Sequence, residues 1–217
     1  MNTEQARFNM IEQQIRPWNV LDDGVLRLLA MVRREDFVPP AHGALAFVDT
    51  EVPLADGEFM LAPKVEARLL QELKLGRHEK VLEVGTGSGF MAALLAHKSQ
   101  QVHTMEQRPD LAELARQNLK RAAVFNVQVH EGDGVQGLPS EAPFDAIALS
   151  GSVAEVPPAL LQQLKVGGRL VGIVGQVPVM RAELVTRTGE ASFDRKVLFD
   201  TVAPRLHGFG EPTRFRF

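Results

Sequence analysis

The sequence of 217 residues contains no cysteine, which removes disulfides, thiolate nucleophiles and zinc–cysteine centres from consideration and fits a reducing compartment. It also lacks any apolar run approaching the roughly 20 residues of a membrane span. Its opening, MNTEQARFNM, has neither the basic start nor the apolar stretch of a secretory signal, so a cytoplasmic protein with no membrane partner is expected. An excess of charge of one sign is missing too. With 24 Lys plus Arg against 27 Asp plus Glu, the net charge of -3 leaves no basic footprint for nucleic acid. Repeats, low-complexity tracts and Gly/Ser linkers are absent. The six histidines, at 42, 78, 97, 103, 130 and 207, show no paired ligand spacing. They read as surface or locally satisfied groups, and no metal is expected.

What remains is an ordinary globular composition, 45% hydrophobic and 24% charged, sufficient for one α/β domain with a short additional segment. Phe8, Ile11 and Ile15 have helical spacing, stopped by Arg16-Pro17. Asp22 or Asp23 can cap a second helix carrying Val25, Leu28, Leu29 and Val32. From Arg33 to Ala62 the pattern is irregular and too long for a simple connection, as functional loops often are. Pro63 then opens a helix with Val65, Leu69 and Leu73 on one face.

Beyond Gly76, strands alternate with helices, the signature of a parallel sheet covered on both faces. Strands are expected at 80–84, 101–106, 127–130, 144–150 and 169–175, with helices after Gly89, from Pro109 and near Pro157-Pro158. The stretch MRAELVTRTGEASFDRKVLFDTV reads as a hairpin around Thr188-Gly189-Glu190 closing one sheet edge. The final PTRFRF alternates Arg and Phe and reads as an edge strand rather than an RNA platform.

The chemistry concentrates in VLEVGTGSGF, residues 81–90. A strand ending at Val84 is followed by Gly85, Gly87 and Gly89 and then a helix. That arrangement sets bare main-chain N–H groups at a helix start on the carboxyl edge of the sheet. Glu106 ends the next strand 21 residues after Gly85, where a carboxylate can accept both hydroxyls of a ribose. A dinucleotide and S-adenosylmethionine both contain that ribose. The dinucleotide loop is G-x-G-x-x-G, whereas this one is G-T-G-S-G, which disfavours NAD. Asp133 in EGDG can meet an adenine amino group or serve as a turn aspartate; both readings stay open.

VLEVGTGSGF, MEQRPDLAELARQNL, NVQVHEGDG and LKVGGRLVGIVG together resemble the class I S-adenosylmethionine methyltransferases. With MIEQQI, LAMVRREDFVP and DTEVPL added, the chain is similar over nearly its whole length to the protein-L-isoaspartate O-methyltransferases. The resemblance implies a doubly wound, mostly parallel seven-stranded sheet whose last strand runs antiparallel. Residues 1–62 would form an N-terminal helical extension with the substrate loop, and 63–217 the cofactor-binding domain. It implies S-adenosyl-L-methionine as donor, S-adenosyl-L-homocysteine as product, and the isoaspartyl carboxylates of damaged proteins or peptides as substrate. Gly85, Thr86, Gly87, Ser88 and Gly89 would then follow the methionine and ribose, and Met60 would also adjoin the cofactor. Glu106 would hold the ribose hydroxyls, Gln107 would lie beside the adenine, and Asp133 with Gly134 would close the adenine pocket. Glu83 would orient the loop.

One segment departs from the pattern. The family's substrate loop reads close to G-Q-T-I-S-Q-P, whereas here it is GEFMLAP, residues 57–63, so Leu61 occupies the serine position. A carboxylate nucleophile is already ionised near neutral pH, and its methylation depends on placement rather than on a general base. Leucine offers no hydrogen bond to place it, unless main-chain N–H groups do so. Weak or altered activity is therefore expected. Two alternatives are a less polar methyl acceptor and a cofactor-binding module without turnover. Ser150 and Ser152, in the equally divergent SGSVAEVP, are candidate substrate contacts or helix caps.

Overall fold

A computed structural model describes residues 2–210. The chain opens with α1 (Thr3–Met10), then a π turn over Ile11–Ile15 and a 3-10 turn ending at Trp18. Met10, Ile11 and Ile15 are buried, but Phe8 stays 59% exposed. The wider π turn rotates the apolar stripe, so Phe8 falls outside it. Helix α2 (Asp23–Met31) is capped by Asp22, whose carboxylate accepts from Val25 N at 3.0 Å. The irregular stretch that follows forms short 3-10 turns and a two-stranded ribbon of β1 (Val52–Pro53) and β2 (Phe59–Met60). Helix α3 (Pro63–Leu73) begins with Pro63 in its first turn.

The main sheet is built from β3 (Lys80–Val84), β4 (Gln101–Glu106), β5 (Val127–Glu131), β6 (Phe144–Val153), β7 (Leu164–Gln176), β8 (Val179–Arg187) and β9 (Phe193–Asp200). Helices α4 (Phe90–Lys98), α5 (Pro109–Arg121) and α6 (Pro158–Gln162) join the parallel strands. Strand order is β5-β4-β3-β6-β7-β8-β9, the first five parallel. β8 is antiparallel to both β7 and β9. The last strand therefore runs with the parallel five, and only the sixth is reversed, because tight turns on both sides of β8 leave no room for a crossover. The PTRFRF segment lies outside the described residues.

The chain runs outward from β3 to β5 and then returns to the other side of β3 as β6. This reversal opens a crevice at the carboxyl ends of β3 and β6. Helix α4 is buried on every side from Phe90 to Ala96, consistent with its run of apolar residues, since it lies between the sheet and the N-terminal helices. Residues from α2, α3, α4 and the sheet share one continuous apolar core. Among the described residues no helix is long and apolar enough to cross a membrane.

Candidate active site

At the end of β3 the chain turns sharply at Gly85, whose φ is +93°. A Cβ there would lie 2.6 Å from Leu206 Cδ2, so torsion and space both demand glycine. The turn is tied to β4: Gly85 N and Thr86 N donate to the Met105 carbonyl at 2.9 and 3.2 Å. Glu106 completes the junction. Its carboxylate accepts from Gly87 N at 2.8 Å and from Arg108 N at 3.1 Å, aligning the glycine turn with the start of α5. Gly134 closes against the turn from the β5 side, where a Cβ would lie 2.3 Å from Val84 Cγ1.

Beneath the turn Glu83 is wholly buried and accepts from Thr104 Oγ1 at 2.6 Å and Ser150 Oγ at 2.7 Å. Thr104 Oγ1 in turn lies 2.6 Å from Thr86 Oγ1, so a chain of hydroxyls links the acid to the loop. Burial pushes the Glu83 carboxyl up to about 8, more than those hydroxyls offset.

Above this network lies a cleft of about 350 Å³, within the range of small-ligand sites. Gly85, Gly87, Glu106, Gln107 and Gly134 line it, with apolar walls from Met105, Leu111 and Phe209. Beside it a cavity of about 20 Å³, room for about one water, is lined by Met60, Leu61, Glu66, Glu83, Thr86, Ser88 and Ser150. Met60, Thr86 and Ser88 thus face the small cavity, while Gly89 starts α4. Asp133 is not among the groups lining the large cleft. Its side chain caps the following turn through Val135 N at 2.9 Å and abuts Gly208. Ser150 borders both cavities, but Ser152 is buried and donates to the Ala203 carbonyl at 2.9 Å. Neither serine caps a helix, because β6 continues through both.

Several lining residues carried no local signal. Leu54, Asp56, Glu58 and Phe59 roof the cleft from one side, and Leu206, His207 and Phe209 from the other. Arg108 reaches across to Asp56, and His207 Nε2 lies 2.9 Å from Glu58 Oε1. Of the remaining histidines, His103 is fully buried rather than at the surface. Its Nδ1 lies 3.0 Å from His130 Nε2, and its other ring nitrogen has no hydrogen-bond partner among the described residues. Glu141 stands 3.7 Å from that nitrogen, and burial lowers the ring's pKa.

The donor set suits an adenosine group: a carboxylate at the wall for a ribose diol, apolar surfaces for a flat base, and glycines where the main chain must come close. Sheet order, glycine turn and terminal acid are those of a doubly wound nucleotide-binding fold, and the G-T-G-S-G loop in place of G-x-G-x-x-G places it with the class I S-adenosylmethionine-dependent methyltransferases rather than the dinucleotide enzymes. Comparison with known proteins resolves the class further. A profile of the protein-L-isoaspartate(D-aspartate) O-methyltransferase family matches residues 5–203. The protein-L-isoaspartate O-methyltransferase of Methanoculleus marisnigri is 42% identical over 171 residues, 79% of this chain and 78% of that one. That of Koribacter versatilis is 39% identical over 194 residues, 89% and 87% of the two chains. A Plasmodium falciparum protein assigned as a beta-aspartate methyltransferase, solved with S-adenosyl-L-homocysteine, superposes with a TM-score of 0.80. It is 22% identical, covering 94% of this chain and 97% of that one, a likeness of fold. The chain belongs to the protein-L-isoaspartate O-methyltransferase family and is an S-adenosylmethionine-dependent methyltransferase.

Proposed function

We propose that this chain methylates the carboxylate of isoaspartyl residues in proteins or peptides, through a site whose acceptor donors are main-chain rather than side-chain groups. S-adenosylmethionine supplies a methyl on a cationic sulfur; the acceptor oxygen takes the methyl and the sulfur keeps the bonding electrons. In this reading Glu106 holds the ribose, Gln107 and Gly134 border the base, and Asp133 fixes the turn that carries Gly134. The glycine turn, residues 85–89, lies along the methionine portion, and Met60 borders the transferred methyl. Residues 1–62 serve as the acceptor-side extension and 63–217 as the cofactor-binding domain.

The observation that carries the proposal is the placement of Leu61. Its side chain is 4% exposed and lines the small cavity beside Ser150, where it offers no hydrogen bond. The N–H groups of Leu61 and Ala62 have no partner among the described residues. They stand just before α3, whose N-terminal dipole favours an anion. An ionised acceptor needs placement and no base. With one positioned hydroxyl lost, turnover should fall by the equivalent of about 2 to 4 kcal/mol of transition-state stabilisation.

The test is transfer of labelled methyl from S-adenosylmethionine to an isoaspartyl peptide and to its aspartyl counterpart, with the unaltered protein and with Leu61→Ser. Slow transfer to the isoaspartyl peptide alone, raised by Leu61→Ser, is expected. Cofactor binding without transfer by either protein would overturn the reading and leave a different acceptor or a non-catalytic module.

A further inference from the structure

Behind the acceptor loop sits a buried charged pair. Arg34 is 1% exposed and Glu66 4%. Arg34 begins the 3-10 turn after α2, and Glu66 lies in the first turn of α3. The guanidinium makes three contacts at once. Nη1 donates to Glu66 Oε2, Nη2 donates to the Leu61 carbonyl at 2.7 Å, and the group lies 4.9 Å from the centre of the Phe90 ring. Phe90 is the first residue of α4, directly after the glycine turn. One rigid planar group therefore ties the acceptor loop to both the helix that follows it and the cofactor helix.

Apolar side chains could fill this space without the cost of removing two charges from water. They could not hold a carbonyl in one orientation. The Leu61 carbonyl and the Ala62 N–H belong to the same planar peptide unit, pointing in opposite directions. Whatever fixes the carbonyl fixes the N–H.

We propose that Arg34 is a positioning residue for methyl transfer: by clamping the Leu61 carbonyl it fixes the Leu61–Ala62 peptide, and with it the acceptor loop, in register with α4. Glu66 holds the guanidinium in plane. The inference rests on the reading of the acceptor given above. A fork of donors is required, so lysine, a point charge, would balance Glu66 without also gripping the carbonyl.

Two variants and two readouts test it. Arg34→Met with Glu66→Met replaces the pair by apolar side chains of similar length and avoids stranding a buried charge. It should bind S-adenosyl-L-homocysteine with unchanged Kd while kcat/KM for an isoaspartyl peptide falls on the order of 10²-fold. Amide hydrogen exchange over residues 58–62 should quicken while that of α4 does not. Arg34→Lys should show the same pattern and covers the case in which the double variant does not fold. Unchanged exchange in the loop, or wild-type kcat/KM in a folded variant, would overturn the proposal. Absence of peptide methylation by the unaltered protein would instead refute the acceptor assignment, with loop exchange still deciding whether Arg34 holds the loop.

Discussion

At Glu106 a single carboxylate organises two turns, taking the Gly87 N–H on one oxygen and the Arg108 N–H on the other. Each carboxylate oxygen has two lone pairs, so both can also receive a ribose hydroxyl. Removing the group should therefore act twice, on the ligand and on the turn. Glu106→Ala is expected to weaken S-adenosyl-L-homocysteine binding by about 1 to 3 kcal/mol. Glu106→Gln, which keeps one acceptor oxygen, should lose less. Calorimetry measures both, and an unchanged Kd for Glu106→Ala would show that the side chain serves only the turn.

At the scale of elements, the sheet edge supplies the floor of the site and two loops supply its roof. The segment 54–59 is folded on itself by Leu54 N to the Glu58 carbonyl at 2.7 Å and is held from outside by Arg108 and His207. Both outer pairs are wet: Asp56 is 75% exposed and His207 67%. An exposed ion pair such as Arg108–Asp56 contributes little to stability and weakens with salt. Its consequence is local, on how readily the roof opens. Arg108→Ala should leave Tm unchanged yet release bound S-adenosyl-L-homocysteine several-fold faster, and added salt should reproduce the effect in the unaltered protein. Stopped-flow dissociation provides the measurement. A rate indifferent to both changes would mean that the roof does not gate the cleft.

For the whole molecule, the buried acids set a pH dependence. Burial raises Glu83 to about 8 and Glu66 to about 7, the latter despite the adjacent Arg34. A carboxyl whose folded pKa lies above its unfolded value binds more protons in the folded state, so stability falls as pH rises between the two values. Burial lowers His97, His103 and His130 from their ordinary 6.5, an opposing effect confined to pH below that value. Although burial opposes it, Arg169 holds Glu79 below its usual range, as Lys165 does Asp145, and the stability these confer is lost only in stronger acid. The window left to Glu66 and Glu83 is therefore pH 6.5 to 8. Tm should decline across it, and Glu83→Gln should flatten the decline. A level Tm in the unaltered protein would contradict the burial argument.

Residues 81–90 and Glu106 were legible in the sequence because a strand-to-helix turn has strict local demands: glycines where the main chain must be bare, and an acid one strand away at a fixed spacing. The five parallel strands were legible for a similar reason, since apolar runs punctuated by glycine and proline reflect nearest-neighbour geometry. Leu61 stood out only against a family pattern. Tertiary structure decided the rest. The direction of the last strand depends on which neighbour it pairs with, and Phe8 lost its place in the stripe to a π turn that spacing alone does not reveal. The roof from residues 206–209 and the clamp of Arg34 on Leu61 join positions far apart in the chain. No local pattern encodes such contacts, because they arise from packing the N-terminal helices and the C-terminal segment around one sheet edge.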